Sequence, residues 1–116
     1  MANIQGVSYK KIVSLGVESY DLFPFDSNGN LFPLVTINVD TTGGAVTINL
    51  PQIATLGNDF NVRIVVVRTA GTNNVIIAPN STDKIGSASS VTLNAINKSV
   101  EVTPIESINW YGVITA

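Results

Sequence analysis

Apolar and polar residues alternate with period 2 along much of the chain, the spacing that places one face of a β-strand on a core. In residues 45–50, Val46, Ile48 and Leu50 fall on one side and Ala45, Thr47 and Asn49 on the other. Pro51 ends this stretch, because proline cannot donate to a strand ladder. Residues 35–40 repeat the alternation, with Val35, Ile37 and Val39 set against Thr36, Asn38 and Asp40. Thr41-Thr42-Gly43-Gly44 joins the two stretches and reads as a hairpin turn, with glycine supplying positive φ. Residues 61–69 hold Val62, Ile64, Val65, Val66 and Val67. Apolar residues on both faces predict a central strand covered on both sides, with Arg63 and Arg68 as charged caps at its ends. Asn73-Asn74 then turns the chain into Val75-Ile76-Ile77-Ala78, which Pro79-Asn80 stops.

Further strands are predicted over residues 89–94, through Val91 and Leu93, and over 98–103, through Val100 and Val102. The last is predicted over 108–115, with Ile108, Trp110 and Ile114 on one face. Trp110 and Tyr111 lie on opposite faces of it, so one is expected inside and the other at the surface. One helical turn is predicted over 52–56, stopped by Gly57. No internal repeat emerges. Short strands about ten residues apart with turn signals between them predict an all-β domain, an antiparallel β-sandwich or jelly-roll. The strand-forming composition agrees, since about a quarter of the residues are Val or Ile.

The first thirty residues read differently. Residues 4–16 have mixed periodicity, and Tyr20-Asp21-Leu22-Phe23-Pro24-Phe25 is an aromatic-rich extended segment. The chain therefore divides into an N-terminal extended segment, 1–30, and a β-domain, 31–116. Tyr20, Phe23, Phe25 and Phe32 form an apolar set outside the regular strands. Such a set packs under the sheets or docks on a partner, and the sequence leaves both readings open.

The 116 residues suit one domain. Only 12% are charged, against about 25% in ordinary soluble domains. Asn, Ser and Thr occupy the polar positions, which suits a neutral hydrogen-bonding surface. The six basic residues, Lys10, Lys11, Arg63, Arg68, Lys84 and Lys98, are scattered within a net charge of −2. No basic patch is available to neutralise phosphates, so no nucleic-acid partner is expected. No apolar run of membrane-spanning length occurs, and no basic-then-apolar leader opens the chain, so neither membrane insertion nor a signal peptide is expected.

The chain has no Cys and no His. That removes disulfides, thiolate nucleophiles, the usual zinc ligands and the commonest general base. Two acid pairs, Asp21 with Asp26 and Glu101 with Glu106, read as solvated surface groups. Asp26-Ser27-Asn28-Gly29-Asn30 opens like a calcium loop but lacks the glycine and the distal glutamate that such a loop needs, and Asn28-Gly29 reads as a tight turn. The glycines at 43, 44 and 57 lack the Lys-Ser/Thr of a phosphate loop. The sequons Asn80-Ser81-Thr82 and Asn97-Lys98-Ser99 are near chance in so Asn- and Ser-rich a chain. No catalytic residue, metal ligand, cofactor site or cofactor is expected, and the chain is not expected to be an enzyme.

An ordered series runs from residue 38 to 114. It comprises Gly44-Ala45-Val46-Thr47-Ile48-Asn49-Leu50-Pro51, Asn61-Val62-Arg63-Ile64-Val65-Val66 and Asn74-Val75-Ile76-Ile77-Ala78-Pro79. Asp83-Lys84-Ile85, Val91-Thr92-Leu93, Ser99-Val100-Glu101-Val102 and Asn109-Trp110-Tyr111 follow. In that order, over about two-thirds of the chain, it resembles a β-domain recurrent in bacteriophage fibre, spike and capsid-decoration proteins. The resemblance implies a homotrimer on the virion surface, acting by binding and display. Its partners would be its own copies, the major capsid or other virion proteins, and host surface glycans. Chain length suits a decoration or head-fibre subunit better than a long tail fibre. Tyr20, Phe23, Phe25 and Phe32 become the candidate particle anchor, and Tyr111 the candidate exposed ligand or interface aromatic. A stand-alone carbohydrate-binding or adhesive module is the alternative. An enzyme fragment is the third reading, disfavoured by the missing His and Cys.

Overall fold

A computed structural model describes residues 10–15, 18–56, 60–69, 73–80, 82–86, 88–106 and 109–115. The alternating stretches become strands β1 (Lys10–Leu15), β2 (Ser19–Asp21), β3 (Leu34–Thr41), β4 (Val46–Asn49) and β5 (Asn61–Thr69). They continue as β6 (Val75–Ala78), β7 (Lys84–Ile85), β8 (Val91–Leu93), β9 (Ser99–Glu106) and β10 (Asn109–Thr115). The predicted helical turn is a short 3-10 turn, Ile53–Thr55. The protein is all-β, with a six-stranded sheet in the order β1-β3-β5-β9-β10-β7 and a four-stranded sheet in the order β2-β4-β6-β8.

Successive strands from β1 to β6 alternate between the two sheets, so β1–β2, β3–β4 and β5–β6 form three stacked rungs. Within each sheet the rungs pair in parallel. Lys10 lies beside Leu34 and Leu34 beside Asn61 in the larger sheet. Ser19 lies beside Thr47, and Val46 beside Val75, in the smaller one. Parallel neighbours need a long crossover, and here the crossover from β3 to β5 contains β4. The expected antiparallel pairing is therefore corrected: five of the eight strand pairings among the described residues are parallel. The three antiparallel strand pairings are β5–β9, β9–β10 and β6–β8. The stack is also an internal repeat, which the sequence reading missed. Val35, Ile37 and Val39 lie beside Val62, Ile64 and Val66, and Val46 and Ile48 beside Val75 and Ile77.

Two further expectations change. Residues 41–44 do not close a hairpin, because β3 and β4 lie in different sheets; they turn a corner of the stack. Gly44, with φ +145°, donates its N–H to the Thr41 carbonyl at 3.1 Å. The second change is in β5, which is interior in its sheet but covered on one face. Val62, Ile64 and Val66 are buried, whereas Arg63 and Val67 are exposed on the other face. Arg63 thus sits on the outer surface, beside Glu101 of β9, and does not cap the strand.

Strands β1 and β2 lie inside the 1–30 segment and tie it into both sheets. One core fills the space between the sheets. Val35, Ile37, Val62, Ile64, Val100, Val102 and Trp110 come from the larger sheet and Val46, Ile48, Val75, Ile77 and Leu93 from the smaller. Each fully buried Val or Ile contributes roughly 1.5–3 kcal/mol relative to its exposed state.

The corners of neighbouring rungs are sewn together by side chains. Thr41 is fully buried, and its hydroxyl donates to the Asn73 carbonyl at 3.1 Å. The Asn73 amide donates to the Thr41 carbonyl at 2.9 Å. Thr41→Val keeps the shape but takes this donor from a partly buried carbonyl, so it is expected to lower stability by about 1 kcal/mol. Urea unfolding followed at Trp110 checks this; an unchanged midpoint contradicts it.

Candidate functional site

The aromatic set does not act as one patch. Tyr20 points inward from β2 and packs against the core, and Phe32 packs there too. Burial pushes the Tyr20 phenol above its usual pKa. Phe23 faces the other way and is 63% exposed. Its ring meets that of Phe25 at 5.3 Å between centroids, tilted by 60°. The segment is folded back by an antiparallel bridge between Phe25 and Leu31 and by the Phe32 N–H donating to the Pro24 carbonyl at 2.7 Å. Of the four candidate anchor residues, Phe23 is the one largely open to a partner.

The turn between these residues is the one read from Asn28-Gly29. The Asp26 carboxylate accepts the backbone N–H groups of Asn28 at 2.8 Å and Asn30 at 2.9 Å. Gly29, with φ +83°, donates its own N–H to the Asp26 carbonyl. These bonds, that from Asn30 foremost, hold the Asp26 carboxyl below its usual range.

The last strand separates its two aromatics as expected. Trp110 is fully buried, with its indole edge against Phe60 at 6.1 Å, and Tyr111 is 56% exposed. Ile108 lies outside the described residues. Ile114, expected on the buried face with Trp110, is 55% exposed. The reason is the length of its neighbour. Short β7 pairs with β10 only at Asn109 and Trp110. Beyond them the inward row Ile37–Ile64–Val100–Ile114 runs out into solvent at its last member. An apolar hollow of about 310 Å³ opens there, floored by Ile85, Val100 and Gly112 and rimmed by Val91, Tyr111 and Ile114. Gly112 keeps it open: a methyl group there would meet the Ile85 side chain at 3.0 Å.

A second hollow, of about 490 Å³, lies at the carboxyl ends of β2, β4 and β6. Its walls are polar, from Asp21, Asn49 and Asn80, with Pro51 and Pro79 beside them and Leu22 and Leu50 at the base. The Asn49 amide donates to the Asp21 carboxylate at 2.8 Å. Backbone bonds from Leu22 to the Asn49 carbonyl and from Leu50 to the Ala78 carbonyl, both 2.9 Å, set the three strand ends side by side. Asp83, buried behind them, accepts the Ile53 N–H at 2.9 Å, and its own N–H donates to the Asn80 carbonyl at 2.7 Å. Among the described residues no group of three or more acidic side chains is placed to hold a metal ion.

No protein-family model and no curated protein matches this chain. Its chemistry is therefore read from these two hollows and from Phe23. One hollow is apolar and continuous with the core; the other is polar and carries a single carboxylate. Sequence reading found Tyr111 at the first and missed the second, because its walls come from three segments of chain.

Because the folded-state pKa of Asp26 is depressed, its contribution to the turn is present above the unfolded pKa. It is lost as pH falls through the folded pKa. On acidification below the ordinary aspartate range, the amide resonances of Asn28 and Asn30 are expected to move together and to exchange faster. NMR titration of these two amides checks it, and an Asp26→Asn protein whose amides show the same acid transition contradicts it.

Proposed function

We propose that the chain is a virion structural protein, a capsid-decoration, head-fibre or fibre subunit that works as a homotrimer by binding and display. The observation that carries this reading is the unfinished core row at β10. An apolar hollow with Ile114 and Tyr111 at its rim, beside a β10 edge that β7 does not reach past Trp110 among the described residues, has the chemistry of a surface completed by another copy. Low overall charge fits the same use, since few ions need desolvating when copies meet. The resemblance of the ordered series of motifs to phage fibre and decoration domains suggests the biological setting. In that setting the protein sits on the virion surface. Phe23 is the contact to the capsid or another virion protein, and the outer surface is turned toward host glycans. The chain acts by association, with no catalytic step.

Light scattering on the purified chain is expected to give three times the 12.2 kDa chain mass at low micromolar concentration. Ile114→Asp places a charge in the hollow and is expected to return the mass to that of one chain while near-ultraviolet circular dichroism of Trp110 is kept. A wild-type monomer contradicts the trimer. An Ile114→Asp protein that remains trimeric moves the contact away from β10.

A further inference from the structure

The polar hollow invites a ligand of definite chemistry. Asp21, Asn49 and Ala78 stand in one row across three parallel strands, and Leu22, Leu50 and Pro79 form the next row. Such stacking puts hydrogen-bonding groups and apolar surface at fixed heights in one concavity. The Asn49 amide occupies Oδ1 of Asp21. Asp21, Asn49 and Asn80 line the hollow, so the polar side-chain groups a ligand would meet there are Oδ2 of Asp21, Oδ1 of Asn49 and the Asn80 side-chain amide.

This set selects by exclusion as well as by attraction. Among the described residues no Lys or Arg lines the hollow, so a phosphate or carboxylate ligand would meet the like charge of Asp21. A single carboxylate is too few oxygens of the right kind for a divalent cation, which takes six or more ligands when it is calcium. Hydroxyl groups suit it well, because each can donate to the carboxylate and accept from an amide at once. Pro51 and Pro79, both partly exposed, offer apolar surface to the C–H face of a ring. The volume of about 490 Å³ falls within the range of about 300–1,000 Å³ usual for small-molecule sites.

We infer that the hollow between the ends of β2, β4 and β6 binds one neutral pyranose unit of a glycan, with Asp21, Asn49 and Asn80 holding its hydroxyls. The site stands on its own geometry, goes beyond the virion reading and does not depend on trimer formation. The sugar site thereby moves away from Tyr111, whose surroundings are apolar.

The test is an NMR titration of the isotopically labelled full chain with the methyl pyranosides of glucose, galactose, mannose and N-acetylglucosamine. At least one is expected to give saturable shifts at the amides of Asp21, Leu22, Asn49 and Asn80, with a Kd on the order of 1 mM. Asp21→Asn and Asn80→Ala are each expected to weaken that binding by about tenfold. Tyr111→Ala is expected to leave it unchanged. The circular dichroism of buried Trp110 reports that each variant is folded, and Asn80, exposed and bonded through its backbone, can lose its side chain without unfolding the sheet. Absence of saturable shifts with all four sugars overturns the inference, as do shifts confined to the Tyr111 hollow. Equal binding by wild type, Asp21→Asn and Asn80→Ala overturns it as well. None of these outcomes bears on the mass measured by light scattering, so the two readings fail separately.

Discussion

The in-register parallel stacking of three rungs is the constraint on which the rest of this structure depends. Every strand from β2 to β6 must offer its buried face at the same height as its parallel neighbour. A slip of one residue would turn the whole apolar set outward. The register answers this with like on like: Val35 over Val62, Ile37 over Ile64, Val39 over Val66, and Ile48 over Ile77. Corners must stack as well as strands. A corner carries backbone groups that neither sheet ladder satisfies, and burying them unpaired is costly. The reciprocal bonds between Thr41 and Asn73 solve this for two successive rungs, and the N–H of Val46 donating to the Asn74 carbonyl continues the stitching into the smaller sheet.

This explains which parts of the fold were legible in the sequence. Alternation reports that a strand has one buried face, and it located β3, β4, β5 and β6 closely, along with the 3-10 turn after Pro51. It does not report which strand lies alongside. Gly43-Gly44 marks a reversal of the chain, yet a hairpin and a corner between sheets use the same residues. The repeat was present as Val-x-Ile-x-Val in β3 and again in β5. Its intervening outward residues, Thr36 and Asn38 against Arg63 and Val65, share no identity because solvent places no common demand on them. The outward Val65 and Val67 likewise made β5 look covered on both sides. Only the pairing shows them facing out.

Stacking also explains why the polar hollow was illegible. Asp21, Asn49 and Asn80 are distant in the chain and meet because parallel rungs bring equivalent strand ends together. In the sequence Asp21 and Asp26 read as solvated surface acids, with nothing to place them on one site. The structure separates them. Asp26 spends its carboxylate on the backbone of its own turn, and Asp21 turns to Asn49 across the sheet. The next rung supplies the partner of Asp21, a pairing that sequence distance does not display. The Tyr111 side was legible because adjacent residues of one strand suffice to divide it from Trp110.

The two hollows share no lining residue, and that separation has a consequence for any assembled form. A pyranose site with walls as open as those of Asp21 and Asn80 leaves much of its ligand in water, so a single site binds weakly. Joining copies through Ile114 and Tyr111 would use the apolar hollow and leave each Asp21 hollow available. Several weak sites on one rigid body bind a surface carrying many sugars more tightly by about 10²–10⁴, provided their spacing allows simultaneous contact. Rigidity matters here, because a stack of hydrogen-bonded rungs fixes each site relative to its own core row. The stacking that hid both features from the sequence would then be what lets a weak pyranose site act as an adhesive one.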